Sequence, residues 1–467
     1  MKHLSSFPAR CTLSVISGAV FASAFPAIGW RWLVLPGLVG LLIALDGEKG
    51  TRARTIGFLH GMAVYASGLT WLMEIFGTMA VMLWAVLAGF SVLFAEFQSR
   101  AAIRGITGWK WAAFTALNWS ALEFIRAELF PLKFPWMTAG LAVGPNSLLP
   151  WIGVYGVGLV VVLATAFLVA RKWMGGTVAL SVLAACVFLN PRVPEPADDD
   201  ARAVSVGGLQ LEGVSLTDYL KGTREMPAGV DLVVWPEYAV PYDIRSDKRD
   251  WELVRKLCHE RGLTLVFGSK VGLASDKDWR NIALTVDPSG VLGEHTKVHP
   301  VHFFNDGAPG KTTLPVPTAH GKIGTPICFD CDYEGVVRGM TAAGAELIVA
   351  PTMDAEKWTA RQHDQHAELF RIRACENGRW LFVVATSGVS QIIDPNGHLH
   401  ARLDALKQGP VHGMMKRETA LTIYTRVGWL TPWCVLGAAA VCWLALLFKK
   451  TRIGKDRDSA VPPNTDP

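Results

Sequence analysis

Gly324-Thr-Pro-Ile-Cys-Phe-Asp-Cys-Asp332 ends an apolar run on a cysteine. A β-type run that stops at Cys328 presents its last side chain at a sheet edge, where a thiol can meet a substrate carbonyl. Two more residues stand in the same setting: Glu237 closes Val-Val-Trp-Pro-Glu, and Lys297 closes Glu-His-Thr-Lys. A thiol is only slightly ionised at neutral pH and needs a base within reach to react, a part that Glu237 fits. Lys297 offers a cation for the charge that develops when sulfur attacks a carbonyl.

Outward from this stretch, short β-type runs alternate with helical ones. Strands are predicted at 203–210, 231–235, 264–269, 281–287, 321–328, 346–350, 381–386 and 390–394, and helices near 248–261, 334–343 and 362–377. Asn377-Gly378 supplies a stop for the last helix. The alternation predicts an α/β domain over 203–426 with a substantial sheet. Pro191-Arg-Val-Pro-Glu-Pro-Ala-Asp-Asp-Asp200 precedes it, so 191–202 is read as a linker.

Residues 1–190 have another character. Across the 467-residue chain 51% of residues are hydrophobic and only 18% charged, a balance that points to membrane spans. Seven apolar runs, at about 11–27, 30–45, 55–75, 78–97, 109–127, 147–170 and 174–190, are each near the length that crosses a bilayer. An eighth, within 427–448, follows the α/β domain. The opening, with Lys2 and Arg10 before an apolar run, also has the outline of a signal peptide; a retained first helix fits the loop charges better. Lys49, Arg52 and Arg54, then Arg100, Arg104 and Lys110, then Arg171 and Lys172 fall in alternate loops, which the positive-inside rule assigns to the cytoplasm. The α/β domain then lies on the outer face, and the basic tail 449–467 is expected inside and disordered. The net charge of +5 is spread over short clusters beside apolar runs, which argues against a nucleic-acid partner.

Each candidate residue has a plainer reading. Glu237 alone is a surface carboxylate at a strand end, Lys297 alone a solvated lysine, and Cys328 alone a small core residue. The eight cysteines show no regular disulfide spacing. Cys328-x-x-Cys331 has the spacing of a redox pair or half a zinc site, yet no second pair accompanies it, so no metal or cofactor is expected. The pairs His299/His302 and His363/His366 keep metal binding as a lesser alternative.

The order Glu237, Lys297, Cys328 resembles the Glu-Lys-Cys triad of the carbon-nitrogen hydrolase (nitrilase) superfamily, whose fold is an αββα sandwich. Arg371-Ile-Arg-Ala-Cys-Glu-Asn-Gly-Arg379, Ala385-Thr-Ser-Gly-Val-Ser390 and Asp394-Pro-Asn-Gly397 are similar to that family's helix, substrate-side loop and β-turn. With the apolar runs, Asn118-Trp119-Ser-Ala-Leu-Glu123-Phe-Ile-Arg126 and Phe134-Pro-Trp136 resemble the membrane branch, the apolipoprotein N-acyltransferases. The resemblance implies a bundle of about eight spans carrying a nitrilase-like domain on the periplasmic face of a bacterial inner membrane. It also implies a phospholipid acyl donor, an apolipoprotein acceptor, a Cys328 thioester, and no cofactor. By itself the i, i+3 pair Glu123 and Arg126 reads as an ion pair fixing the bundle, or less readily as a headgroup contact, and Trp119 and Trp136 as interfacial anchors.

The chain also departs from the family's pattern. After Lys297, counting along the usual loop puts the assisting glutamate on Asn305, with Asp306 one step away. Asp330 stands where the family's glutamate follows the cysteine, and Trp358 is displaced in Thr352-Met-Asp-Ala-Glu-Lys-Trp358. These changes leave open a membrane-tethered amidase or acyltransferase acting on another amine or amide, and, more remotely, a scaffold without turnover.

Overall fold

The computed structural model describes residues 6–26, 28–197, 200–272 and 279–448. The tail 449–467 and residues 198–199 of the expected linker lie outside the described residues.

Helices Phe7–Ala22, Val34–Leu45, Gly50–Gly68, Met79–Ile103, Gly108–Phe124, Leu149–Val169 and Trp173–Phe188 overlap the seven predicted runs in order, and Thr431–Phe448 overlaps the eighth. They pack as a bundle held by close backbone approach. A Cβ on Gly57 would stand 2.5 Å from the Ser91 carbonyl, and one on Gly61 2.7 Å from Ala88 Cα, so only small residues seat Gly50–Gly68 against Met79–Ile103. Met79–Ile103, Leu149–Val169 and Gly428–Phe448 are long and apolar enough to cross a membrane, whereas 7–22, 31–45 and 173–188 are apolar but shorter.

The α/β domain holds two six-stranded sheets. One runs in the order β12 (Gly409–Lys416), β1 (Ala203–Gln210), β2 (Leu232–Val234), β3 (Thr264–Val271), β4 (Arg280–Asp287), β5 (Gly290–Thr296). The other runs β11 (Leu399–Leu403), β10 (Ser390–Ile393), β9 (Leu381–Ala385), β8 (Leu347–Thr352), β7 (Gly321–Gly324), β6 (Val316–Thr318). Strand side chains alternate between two faces, and the apolar runs serve both. Leu232, Val234 and Val266 meet Val349, Phe382 and Val384 between the sheets. Val233, Leu265 and Phe267 face outward onto Leu220, Val254 and Leu257, from helices Leu216–Glu225 and Lys248–Arg261. Ile348, Leu381 and Val383 pack on Val337, Met340 and Phe370, from Glu334–Ala342 and Ala360–Asn377. Four layers result, helix, sheet, sheet, helix.

Helix Ala360–Asn377 joins this sandwich to the bundle. Gly378 ends it in the left-handed conformation at φ 59°, as the sequence predicts. Its Gln365 Oε1 accepts from Trp71 Nε1 at 2.9 Å, Glu368 pairs with Arg31 at 2.7 Å, and Glu376 Oε1 accepts from the Val154 amide at 2.8 Å.

Three sequence expectations change here. Glu123 and Arg126 are both buried, yet no ion pair between them is present among the described residues: Glu123 Oε1 accepts from the Ala139 amide at 2.9 Å, and Arg126 Nη1 donates to the Trp136 carbonyl at 2.8 Å. Together they hold the backbone of the Trp136–Ala139 segment, so main-chain dipoles meet the hydrogen-bonding demand of both buried groups. Trp136 is no interfacial anchor. It is 2% exposed, and its Nε1 donates to Asp332 Oδ2 of the sandwich at 2.6 Å. Trp119 lies inside the bundle, in edge contact with Phe94 and His60.

Candidate active site

Glu237 follows β2 in a turn pressed onto β3. A Cβ at Gly268 would stand 2.4 Å from Glu237 Cα, so glycine is required for the turn to approach. The Gly268 amide donates to Pro236 O at 3.1 Å, and buried Trp235 ties its Nε1 to Thr223 at 3.0 Å. Lys297 directly follows edge strand β5, its amide bonded to Asn281 O of β4 at 2.9 Å. The β7 ladder stops at Gly324, short of the predicted 328, and Cys328 opens a 3₁₀ turn, Cys328–Cys331, with φ +48°. That left-handed value is costly for a residue with a Cβ and survives only where the surroundings enforce it, often at functional sites.

The structure brings Glu237, Lys297 and Cys328, each about 1% exposed, to one chamber of about 390 Å³. Glu237 Oε1 accepts from Lys297 Nζ at 2.8 Å and from Asn281 Nδ2 at 2.5 Å. The Met353 backbone links the other two partners: its amide donates to Glu237 Oε2 at 2.9 Å, and its carbonyl lies 3.6 Å from Cys328 Sγ. Burial, with Asp306 adding to it, holds the Glu237 carboxyl above the usual carboxylate range against the pull of Lys297. Burial alone would depress the Lys297 ammonium, but Glu237, Cys328 and Asp306 outweigh it and hold it well above its ordinary value. Burial and the Glu237 charge push the Cys328 thiol well up, so the resting nucleophile is a neutral thiol that must lose its proton during attack.

Asp306, not Asn305, completes the charge set. Asp306 Oδ2 pairs with Lys297 Nζ at 2.7 Å and accepts from the Val301 amide at 2.8 Å, while Oδ1 takes the Tyr238 hydroxyl and Asn281. Although burial works against it, Lys297 and Tyr238 keep this carboxyl below its usual range. Asn305 points away, its Oδ1 accepting from Trp279 at 3.2 Å. Asp306→Ala is therefore expected to lower turnover about 10- to 100-fold by freeing a buried ammonium, and Asn305→Ala less than about threefold, measured as steady-state turnover. Asp330 lies beneath the chamber: it takes the amides of Val298 and His299 at 2.9 and 2.8 Å and His295 Nε2 at 3.0 Å, so it fixes the Lys297 loop to the Cys328 turn.

One candidate of the lesser metal-binding reading has a setting that the sequence does not show. His366 is buried between carboxylates, Nδ1 at 2.9 Å from Asp354 and Nε2 at 3.0 Å from Asp332. Burial would lower its pKa, but the two acids raise it to about 10. Cys328, Asp354 and His366 present ligand-type atoms within 4.8 Å of one another. Both His366 nitrogens already face carboxylates, and His363 Nε2 turns to the Ala355 carbonyl at 3.1 Å, so that histidine pair does not converge. Cys331 is core, packed with Val337, Met340 and Phe370.

A second, apolar groove abuts the chamber. Trp71, Phe76, Leu87 and Phe130 of the bundle line one wall and Phe303, Phe304 and Phe329 of the sandwich the other, and Val301, Phe304 and Trp358 line both cavities.

Residues 17–167 match the family model of the apolipoprotein N-acyltransferase N-terminal domain, and residues 214–420 that of the carbon-nitrogen hydrolases. The chain is 28% identical to the apolipoprotein N-acyltransferase of Geobacter metallireducens, over 97% of this chain and 98% of that protein. It is 26% identical to that of Ralstonia nicotianae over 95% and 94%, and 27% identical to that of Pseudomonas aeruginosa over 94% and 96%. Among solved structures, a carbon-nitrogen hydrolase from Helicobacter pylori aligns over 53% of this chain and 99% of its own, with 18% identity and a TM-score of 0.40. Both family models are matched in order, one over the bundle and one over the sandwich, and the relatives align from end to end, so along nearly its whole length the chain is similar to the apolipoprotein N-acyltransferases.

Proposed function

We propose that this chain transfers a fatty acyl group from a membrane phospholipid, through a thioester on Cys328, to the N-terminal diacylglyceryl-cysteine of an apolipoprotein. The observation that carries the reading is the continuity of the two cavities: a base, a cation and a thiol lie in a chamber whose Val301, Phe304 and Trp358 wall also belongs to an apolar groove beside the bundle. An acyl chain in the groove delivers its ester to sulfur without leaving an apolar environment.

In the first half-reaction Glu237 accepts the Cys328 proton as sulfur attacks the ester carbonyl. The Lys297 ammonium, with a backbone amide near residue 329, offsets the oxyanion. Collapse of the tetrahedral adduct expels the glycerol oxygen, which takes the proton back from Glu237, leaving a thioester and a lysophospholipid. In the second half the apolipoprotein α-amine attacks the thioester and gives its proton to Glu237. Sulfur leaves and is reprotonated, and the amide forms. The Met353 backbone, touching Glu237 through N–H and facing Cys328 through C=O, keeps base and thiol in register.

In this reading residues 1–190 and 427–448 are eight spans of a bacterial inner membrane, 191–202 the linker and 203–426 the catalytic domain on the periplasmic side. Asp46, Gly47, Thr107, Gly108 and Ala170 line a single cavity, which supports one shared end for the basic loops. Arg31 and Trp71 meet the sandwich at the other end, in keeping with the positive-inside orientation. The test is intact-mass spectrometry of purified protein after incubation with phospholipid. An acyl adduct on Cys328 with matching lysophospholipid is expected, discharged by a diacylglyceryl-cysteine peptide into a triacylated product. An adduct that discharges only to free fatty acid marks a hydrolase and ends this reading.

A further inference from the structure

The apolar groove has one polar edge that the acyl-transfer steps leave unused. Among the described residues lining it, Lys133 and His302 are the only ionisable ones, and no carboxylate is present. They come from opposite walls. Lys133 follows the bundle turn Ile125–Leu129, and His302 sits between Val301 and Phe303-Phe304 in the loop after Lys297. The Lys133 ammonium stands 5.3 Å over the Tyr333 ring, and His299 packs on that same ring at 4.2 Å between centroids. Phe303 is 65% and Phe304 41% exposed on the same loop, an apolar rim beside the cationic edge.

We propose that Lys133 and His302 bind the phosphate of the glycerophospholipid donor, while its acyl chain fills the groove and its ester reaches Cys328. This rests on the acyl-transfer reading of the chamber. The occupant follows from charge and connectivity. A largely apolar wall whose ionisable side chains, among the described residues, are one lysine and one imidazole, without a competing acid, complements a lipid bearing a single phosphodiester anion. The ester and phosphate of such a lipid are joined only by glycerol, and His302 directly follows Val301, one of the residues that bounds both cavities. Burial and the Lys133 charge hold the His302 imidazole below its ordinary range, so it serves as a neutral N–H donor while Lys133 supplies the charge. A diacylglycerol with the same chains offers the same ester and nothing for this edge.

The experiment compares single-turnover acylation of Cys328 in the full-length protein from dipalmitoyl phosphatidylglycerol and from dipalmitoylglycerol, read by intact mass. The wild type is expected to prefer the phospholipid, and Lys133→Ala with His302→Leu to reduce the ratio of the two rates about 10- to 100-fold. Lys133→Arg, which keeps the charge, is expected to restore most of the preference. Because the readout is a ratio within one protein, a general folding defect does not imitate it. Equal loss from both donors, or an unchanged ratio, overturns the phosphate site and leaves acyl transfer standing. A wild type that forms no acyl-Cys328 from either donor ends both.

Discussion

Cys328→Ala is expected to form no acyl-enzyme at all, and Glu237→Gln to slow acylation of Cys328 by about a thousandfold, read as single-turnover thioester formation from phospholipid. The thiol is held well above its ordinary pKa, so no standing thiolate exists to act without a base. Glutamine keeps the shape of the side chain and its contact with the Met353 amide, but it cannot accept a proton and leaves Lys297 with Asp306 as its only carboxylate. The pH dependence has a definite sign. Burial raises the Glu237 carboxyl above its ordinary value of 4.5, and the base works only when ionised. Acylation therefore falls as pH drops through that raised value, and the acid limb sits above pH 4.5 in the wild type and is absent in Glu237→Gln. A Gln variant with wild-type rate, or an unchanged acid limb, would remove Glu237 from the role of base.

The strands that the sequence reveals and those that it hides divide along a physical line. The predicted runs correspond to β1, β2, β3, β4, β7, β8, β9 and β10, which all lie between two neighbours. The four without a predicted run, β5, β6, β11 and β12, are the four edges of the two sheets. An interior strand buries both faces and reads as a continuous apolar run, as in Leu347-Ile-Val-Ala-Pro-Thr352. An edge strand is half solvated and carries polar, glycine or proline residues that discourage further pairing, so Gly290-Val-Leu-Gly-Glu-His-Thr296 shows no such run.

The site divides in a similar way. Glu237 and Cys328 sit at or just past the ends of interior-strand runs, and the order Glu237, Lys297, Cys328, which resembles the family's triad, marks all three as candidates. Asp306 and Trp136 act through contacts that no local pattern encodes. Asp306 reaches Lys297 only because of how its loop folds back, and Trp136 meets Asp332 across 196 positions of chain. A sequence can show that an ionisable or aromatic residue is unusual in its place, while its partner is decided by the fold. That is why Glu123 and Arg126, adjacent on a helix face, bond to backbone and not to each other.

His366→Gln is expected to cost about 3 to 5 kcal/mol of stability, the scale for removing one partner from a buried charge set. The histidine is 1% exposed and lies between Asp332 and Asp354, each 2% exposed or less, so its loss leaves two acids without their shared cation. The network extends in both directions: Asp332 accepts from Trp136 of the bundle, and Asp354 adjoins Met353, whose backbone N–H and C=O face Glu237 and Cys328. Packing restricts what can replace it, since His366 stacks on Trp136 and a Cβ at Gly388 would stand 2.4 Å from Asp354. Because the folded pKa is raised from 6.5 to about 10, the contribution is complete below pH 6.5 and is lost as pH rises through about 10. The wild type is thus expected to lose Tm across that window more steeply than His366→Gln, in thermal unfolding of the detergent-solubilised protein. Two parallel profiles would mean that His366 is neutral and only packed. A steeper wild-type profile together with reduced acylation in the variant would tie the bundle contact at Trp136 to the alignment of base and thiol.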